Sequence, residues 1–265
     1  MPDILPGQKK PVIGMVHIGA LPGTPLYDEA GGMARLIDGV HADLEALQQG
    51  GIDAVMFGNE NDRPYSLRAP QASVAAMSAV VAAVRPDITV PFGVNYLWDP
   101  VASVAIAVAT GATFVREIFT GVYASDMGLW VPDCENAAKA RRQLGRPDIR
   151  LLFNINAEFA ASLDTRPIAL RARSAVFSSL ADAILVSGPI TGQAVDQSDL
   201  RAVREAVTEV PVLANTGLTV DNVADILPIC DGCIVGTTFK RDGITWNPVD
   251  RDRVARFMDR VGTLR

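Results

Sequence analysis

Eight short apolar runs, each followed by a longer stretch of helical spacing, restrict this chain more than any other feature. They fall at residues 12–17, 54–57, 92–95, 114–119, 151–155, 183–186, 212–215 and 233–236. Each is rich in Val, Ile, Leu or Phe and nearly continuous in hydrophobicity, as strands covered on both faces must be. Between them the spacing predicts helices over 33–49, 71–84, 136–144, 167–180, 198–207, 221–227 and 250–261, with a further one opening at Asp99-Pro100. The segment 33–49 carries Leu36, Ile37, Val40, Leu44 and Leu47 as one apolar stripe, stopped by Gly50-Gly51. Asp99 suits an N-cap and Pro100 a first helical turn. Eight such alternations over 265 residues predict a single-domain (β/α)8 barrel, a TIM barrel, of class α/β. A doubly wound open sheet is the other possibility, but no Gly-x-Gly-x-x-Gly follows the first strand. A loose repeat supports the barrel. Asp53, Thr113, Asp182 and Asp231 each stand just before a strand, beside or behind a small residue.

Composition narrows the class of partner. Hydrophobic residues make up 49% and give material for one large core, against disorder. With 24 Lys plus Arg against 30 Asp plus Glu, the net charge of −6 disfavours a nucleic-acid partner. The start, residues 1–6, lacks a basic region followed by an apolar run, and the most apolar stretch, 101–115, is too short and too interrupted to span a membrane. A cytoplasmic location without a transmembrane segment is the expectation. The three cysteines are too few and odd in number for a disulfide framework. Cys230 and Cys233 form a C-x-x-C pair without a second pair or a nearby His, at the predicted start of the eighth strand, so packing is expected there rather than zinc.

In such barrels chemistry gathers at the C-terminal strand ends. The polar residues there are His17, Asn59, Glu60, Asp62, Asn95, Arg116, Glu117, Asn154, Asn156, Ser187 and Asn215. Burying them is costly unless they are paired or useful. His17 suits acid–base work, as imidazole titrates near neutrality, or it plugs the barrel mouth. Glu60, Asp62 and Glu117 are candidates for acid, base or the ligands of a divalent metal, with an ordinary capping loop as the other reading. Arg116, on the face of Phe114 and Ile118, is a candidate anion ligand or half of a structural ion pair. Asn156 completes the catalytic candidates. For a phosphorylated ligand the candidates are Asn59, Asn95, Asn154, Ser187, Gly188, Asn215, Gly217, Gly236, Thr237 and Lys240. Glycines let amides approach an anion, and barrels often build a phosphate site after the last two strands. Lys240 follows the eighth strand, where phosphate contact or plain surface is expected rather than Schiff-base chemistry. The loop 120–133 is the longest and is expected to act as a lid.

Several motifs resemble one family. Met15-Val-His17-Ile-Gly-Ala-Leu21-Pro22-Gly23, Asp62-Arg-Pro64, Ser125-Asp126-Met-Gly128, Val186-Ser187-Gly188 with Thr191-Gly192, Gly217-Leu-Thr-Val-Asp221-Asn222 and Gly236-Thr-Thr-Phe-Lys240-Arg-Asp242-Gly243 are similar, in order, to the BtpA family, which includes SgcQ-type proteins. Such sequences often carry Glu-Asn at the end of the second strand; here Gly58-Asn59 stands there, with Glu60 two residues from Gly58. The resemblance implies a (β/α)8 barrel. It implies a tie to photosystem I accumulation in cyanobacteria, and elsewhere enzymes of sugar metabolism. Three functions follow: an isomerase, epimerase or lyase acting on a phosphorylated small metabolite, an assembly factor for a membrane complex, or a sugar-phosphate sensor. Homo-oligomers are common among barrels, and no residue selects one.

Overall fold

The computed structural model describes Leu5 and residues 7–265; residues 1–4 and 6 of the start read above lie outside the described residues. Eight strands run parallel and close into a barrel: β1 (Val12–His17), β2 (Ala54–Gly58), β3 (Phe92–Asn95), β4 (Phe114–Glu117), β7 (Arg150–Asn154), β9 (Ala183–Val186), β10 (Val212–Ala214) and β11 (Gly232–Val235), with β11 paired back to β1. Eight helices alternate with them: α1 (Gly32–Gln49), α2 (Gln71–Val84), α3 (Pro100–Thr110), α4 (Cys134–Gln143), α5 (Ile168–Ser179), α6 (Gln197–Ala206), α7 (Val223–Ile226) and α8 (Arg251–Gly262). The expected (β/α)8 architecture is the one observed. Among the described residues, no helix is long and apolar enough to cross a membrane.

Side chains alternate across each strand, which splits the barrel residues into two sets. Ile13, Met15, Ala54, Met56, Phe114, Leu152, Leu185, Leu213 and Ile234 fill the interior, joined by Leu5. Val12, Val55, Phe57, Val115, Phe153, Ile184 and Val235 face the helices. Gly93 belongs to the interior set because a Cβ there would lie 2.1 Å from the Phe114 ring. The repeat before the strands has a backbone function. Asp53 accepts from the Val12 amide (2.9 Å), Asp182 from Leu151 (2.8 Å) and Asp231 from Val212 (2.9 Å). Each acid thus satisfies an amide at the start of a neighbouring strand, at the face away from the mouth. Asp99 caps α3 as expected, accepting from the amides of Val101 and Ala102.

The long loop after β4 is more ordered than a simple lid. It folds as a hairpin, β5 (Tyr123–Ser125) and β6 (Gly128–Trp130), and β8 (Ala160–Ser162) joins it in a three-stranded antiparallel sheet. Tyr123 and Trp130 pack with Trp98, Ile118 and Ala157 beside the barrel mouth. Cys230 and Cys233 are free, buried thiols at the opposite end, and burial pushes both above the usual thiol range.

Candidate functional site

The inward-facing alternation of the barrel strands ends at His17, Gly58, Asn95, Arg116 and Asn154 and, one residue past the strand, at Ser187, Asn215 and Gly236, so the apolar interior gives way to a largely polar layer. Above it lies a pocket of about 290 Å³. One wall is apolar and aromatic: Tyr65, Leu97, Trp98, Ile118, Trp130 and Phe159. The Trp98 and Trp130 rings meet edge-on at 4.5 Å. The opposite wall is formed by the loops 215–219 and 236–238, with Gly192, Gly243 and Arg253.

Between the walls stands a pair of carboxylates. Glu158 accepts from Arg116 Nη2 (3.2 Å), Ser187 Oγ (3.3 Å) and Thr191 Oγ1 (2.9 Å). The Thr191 oxygen lies 3.3 Å from Glu60 Oε1. Thr191 Oγ1 is the donor toward both carboxyl groups, which it bridges. Burial, then the Glu158 charge, push Glu60 up to about 7. Arg116 is held on both sides, donating to Asn95 Oδ1 (2.7 Å) and pairing with Glu158.

His17 reaches the pocket from β1. Its Nδ1 lies 3.5 Å from the Thr245 carbonyl. With the proton on Nδ1, Nε2 is an acceptor beside Gly236, where a Cβ would approach it to 3.2 Å. Burial and the charges of Lys240 and Arg116 hold His17 down at about 3, so the imidazole is neutral at physiological pH. Glu117 also lines the pocket, and burial pushes it up to about 7. Its oxygens are committed to Asn95 Nδ2 (3.0 Å) and the amides of Trp98 (2.6 Å) and Ile118, so it braces the loop after β3. Asn154 and Thr237 line the pocket, and Thr237 Oγ1 meets Thr245 Oγ1 at 2.9 Å.

Other residues singled out from the sequence lie elsewhere. Asp62 accepts from the Leu21 amide (2.7 Å) and Asn59 Nδ2 (3.0 Å), while Asn59 Oδ1 receives the Leu97 amide (2.7 Å). These two residues pin the loops after β1, β2 and β3 together outside the pocket. Asn156 bonds both backbone groups of Ser187, and both border a neighbouring open cleft together with Gly188. The Gly188 amide is consumed by Thr216 Oγ1 (2.5 Å), which removes it from an anion site. Lys240 is neither a phosphate ligand nor surface. It is 1% exposed, and its ammonium pairs at 2.5 Å with Asp43 of α1. The three proposed metal ligands do not converge, because Glu60, Asp62 and Glu117 answer to three separate sets of partners. Among the described residues, no three Asp, Glu, His or Cys side chains gather in a way that could hold a metal ion.

The wall formed by the loops after β10 and β11 carries free backbone donors and a cation. Asn222 braces the loop after β10 from behind, accepting from the Thr219 amide (2.7 Å) and donating to the Gly217 carbonyl (2.9 Å). Among the described residues, the amides of Gly217 and Leu218 donate to no protein acceptor. Gly217 is required there: its φ is +67° and a Cβ would fall 2.1 Å from the Ala194 nitrogen. Arg253, in the first turn of α8, reaches the same wall. Sequence reading missed Glu158, Trp98, Trp130 and Arg253. Glu158 alone carried a signal, as it follows the polar end of β7 by four residues.

The comparisons with known proteins agree with this architecture. The sequence matches the BtpA family over residues 8–263. It is 46% identical to the putative sgc region protein SgcQ of Escherichia coli K12, over 98% of this chain and 97% of that one. It is 31% identical to the photosystem I biogenesis protein BtpA of Synechocystis, over 94% of this chain and 87% of that one. Among solved structures, thiamine phosphate pyrophosphorylase from Pyrococcus furiosus superposes with a TM-score of 0.57 at 18% identity, covering 96% of both chains, which supports the shared barrel fold. The chain belongs to the BtpA family.

Proposed function

We propose that the pocket is an active site that moves a proton on a phosphorylated small metabolite, as an isomerase or epimerase does. One observation carries the reading. A single pocket joins a buried carboxyl that holds its proton near neutral pH to a wall of free amides and an arginine suited to an anion. An acid whose proton affinity matches the working pH is best placed to give a proton and take it back. Glu60 is that acid. Burial and the neighbouring Glu158 charge favour the proton on Glu60. Arg116, fixed by Asn95 and Glu158, places positive charge where an oxyanion would develop. Neutral His17 offers Nε2 as an acceptor. The aromatic wall keeps water from the reacting centre.

Schiff-base cleavage fits less well, since among the described residues no lysine lines the pocket. An assembly role of the kind named for the Synechocystis relative gives no reason to bury these charged groups around a cavity. The test is a thermal-shift screen of the purified protein against phosphate, sugar phosphates and nucleotides, followed by turnover of any compound that binds. A compound that binds only the native state raises the unfolding midpoint. A rise of several degrees with a phosphorylated sugar, and turnover lost in Glu60→Gln with binding kept, is the expected result. No shift with any phosphorylated compound would sink the proposal.

A further inference from the structure

Among the polar groups at the barrel mouth whose bonding is incomplete, two together describe a ligand. The first is Asn215. Its Nδ2 donates to Ser187 Oγ at 2.6 Å. Ser187 in turn donates to Glu158. This chain fixes the amide orientation: the carboxylate makes Ser187 a donor, so Ser187 must accept from Asn215, and Oδ1 is left as a pure acceptor. Asn215 is 4% exposed, lines the pocket, and its Oδ1 has no partner. A buried acceptor of this kind calls for a donor.

The second is Arg253. Its Nε donates to the Thr238 carbonyl at 2.8 Å, and the Thr238 hydroxyl donates to the Leu218 carbonyl. The guanidinium is thereby docked between the loops after β10 and β11. Among the described residues no carboxylate pairs with it, whereas Arg116 and Lys240 each have one. Its two terminal nitrogens remain for an anion, on the wall where the Gly217 and Leu218 amides are free. Asn215 stands two residues from the first of those amides.

We infer that the pocket takes a phosphomonoester bearing a hydroxyl close to its phosphate, a phosphorylated sugar or polyol, with Arg253 holding the phosphate and Asn215 Oδ1 accepting from the hydroxyl. This rests on the phosphate reading above and adds to it the second functional group and the residue that carries the charge. A site built to bond a hydroxyl discriminates against the analogue that lacks it, because its own buried group is then left unpaired.

The experiment is calorimetric titration of the whole protein with glycerol 3-phosphate, with n-propyl phosphate of similar length and charge, and with inorganic phosphate. Glycerol 3-phosphate is expected to bind at least about 10-fold more tightly than n-propyl phosphate. Asn215→Ala should erase most of that ratio while leaving n-propyl phosphate affinity nearly unchanged. Arg253→Gln should weaken both esters roughly 10- to 100-fold and keep the ratio, with Arg253→Lys between it and the parent. The wild-type ratio needs no variant to fold, and circular dichroism checks the variants. Equal binding of the two esters overturns the hydroxyl assignment. Unchanged affinity in Arg253→Gln overturns the arginine assignment. If the wild type binds no phosphate probe at all, the phosphate reading falls and takes this inference with it.

Discussion

Replacing Glu60 by Gln should stabilise the protein, and only at the higher end of the pH range. The unfolded chain releases this proton near 4.5, the folded one near 7. Between these values the native state holds the extra proton, so wild-type stability falls as pH rises through the window. Below about 4.5 the acid is protonated in both states, and Gln, its neutral counterpart of the same size, should match it. Above about 7 the wild type bears the full cost of a buried charge beside Glu158. A displacement from 4.5 to about 7 corresponds to about 3 kcal/mol. At roughly 2.1 cal/mol/K per residue, unfolding this chain carries ~0.56 kcal/mol/K, so the gain in midpoint is about 5 °C. His17 acts in the opposite sense, its stabilising neutral form being lost as pH falls from 6.5 toward 3, but it is present in both proteins and cancels. The assay is thermal unfolding of wild type and Glu60→Gln from pH 4 to 8.5. A difference that grows with pH supports the proton on Glu60. A constant difference, or a variant less stable at pH 8, would refute it.

Asp43→Asn should cost about 3–5 kcal/mol, since it leaves the Lys240 ammonium buried without its counter-charge, and adding Lys240→Met should recover most of the loss in an unfolding cycle. Gly217→Ala forces a Cβ onto the Ala194 backbone at positive φ and should cost at least about 2 kcal/mol by thermal unfolding, with phosphate affinity falling as the loop shifts.

The strand ends were legible because period-two alternation sends every second residue inward whatever the rest of the chain does. Hence His17, Arg116, Asn154 and Asn215 were found at the mouth. The polar residue before each strand was visible too, although its backbone role was not. What escaped depends on closure. Thr191 bridges Glu60 and Glu158, and 131 residues separate Thr191 from Glu60. No local pattern encodes that encounter. Arg253 sits on the last helix, where an arginine reads as solvated surface; its bond to the Thr238 carbonyl turns it toward the pocket. Lys240 was misplaced because of ring closure. Its partner Asp43 lies 197 residues earlier, on a helix that only ring closure brings against the loop after β11. Asn59 and Asp62 stood at the right strand end, but the loops they join consume their hydrogen bonds.

The two ends of the barrel treat buried polarity differently, and that contrast is the strongest physical case for a ligand. At the closed end Asp53, Asp182 and Asp231 each meet a strand amide, and Lys10 meets the carbonyls of Leu227 and Cys230. At the mouth, Trp98 Nε1, Arg116 Nε and Asn215 Oδ1 are buried without a protein partner. An unmet buried group costs about 1–3 kcal/mol. All three residues line the same pocket, alongside a carboxyl raised by burial and a neutral histidine. A barrel kept only for its shape would gain by filling this layer with aliphatic side chains, as its own lower layers are filled. Instead three of the five unmet buried side-chain atoms among the described residues belong to residues lining one cavity sized for a small metabolite, where a bound molecule would complete their bonding; Arg63 Nε and Arg171 Nε lie outside it. The instability predicted at Glu60 above pH 7 is part of the same arrangement: the groups that weaken the fold at the mouth are those that the proposed proton transfer would use.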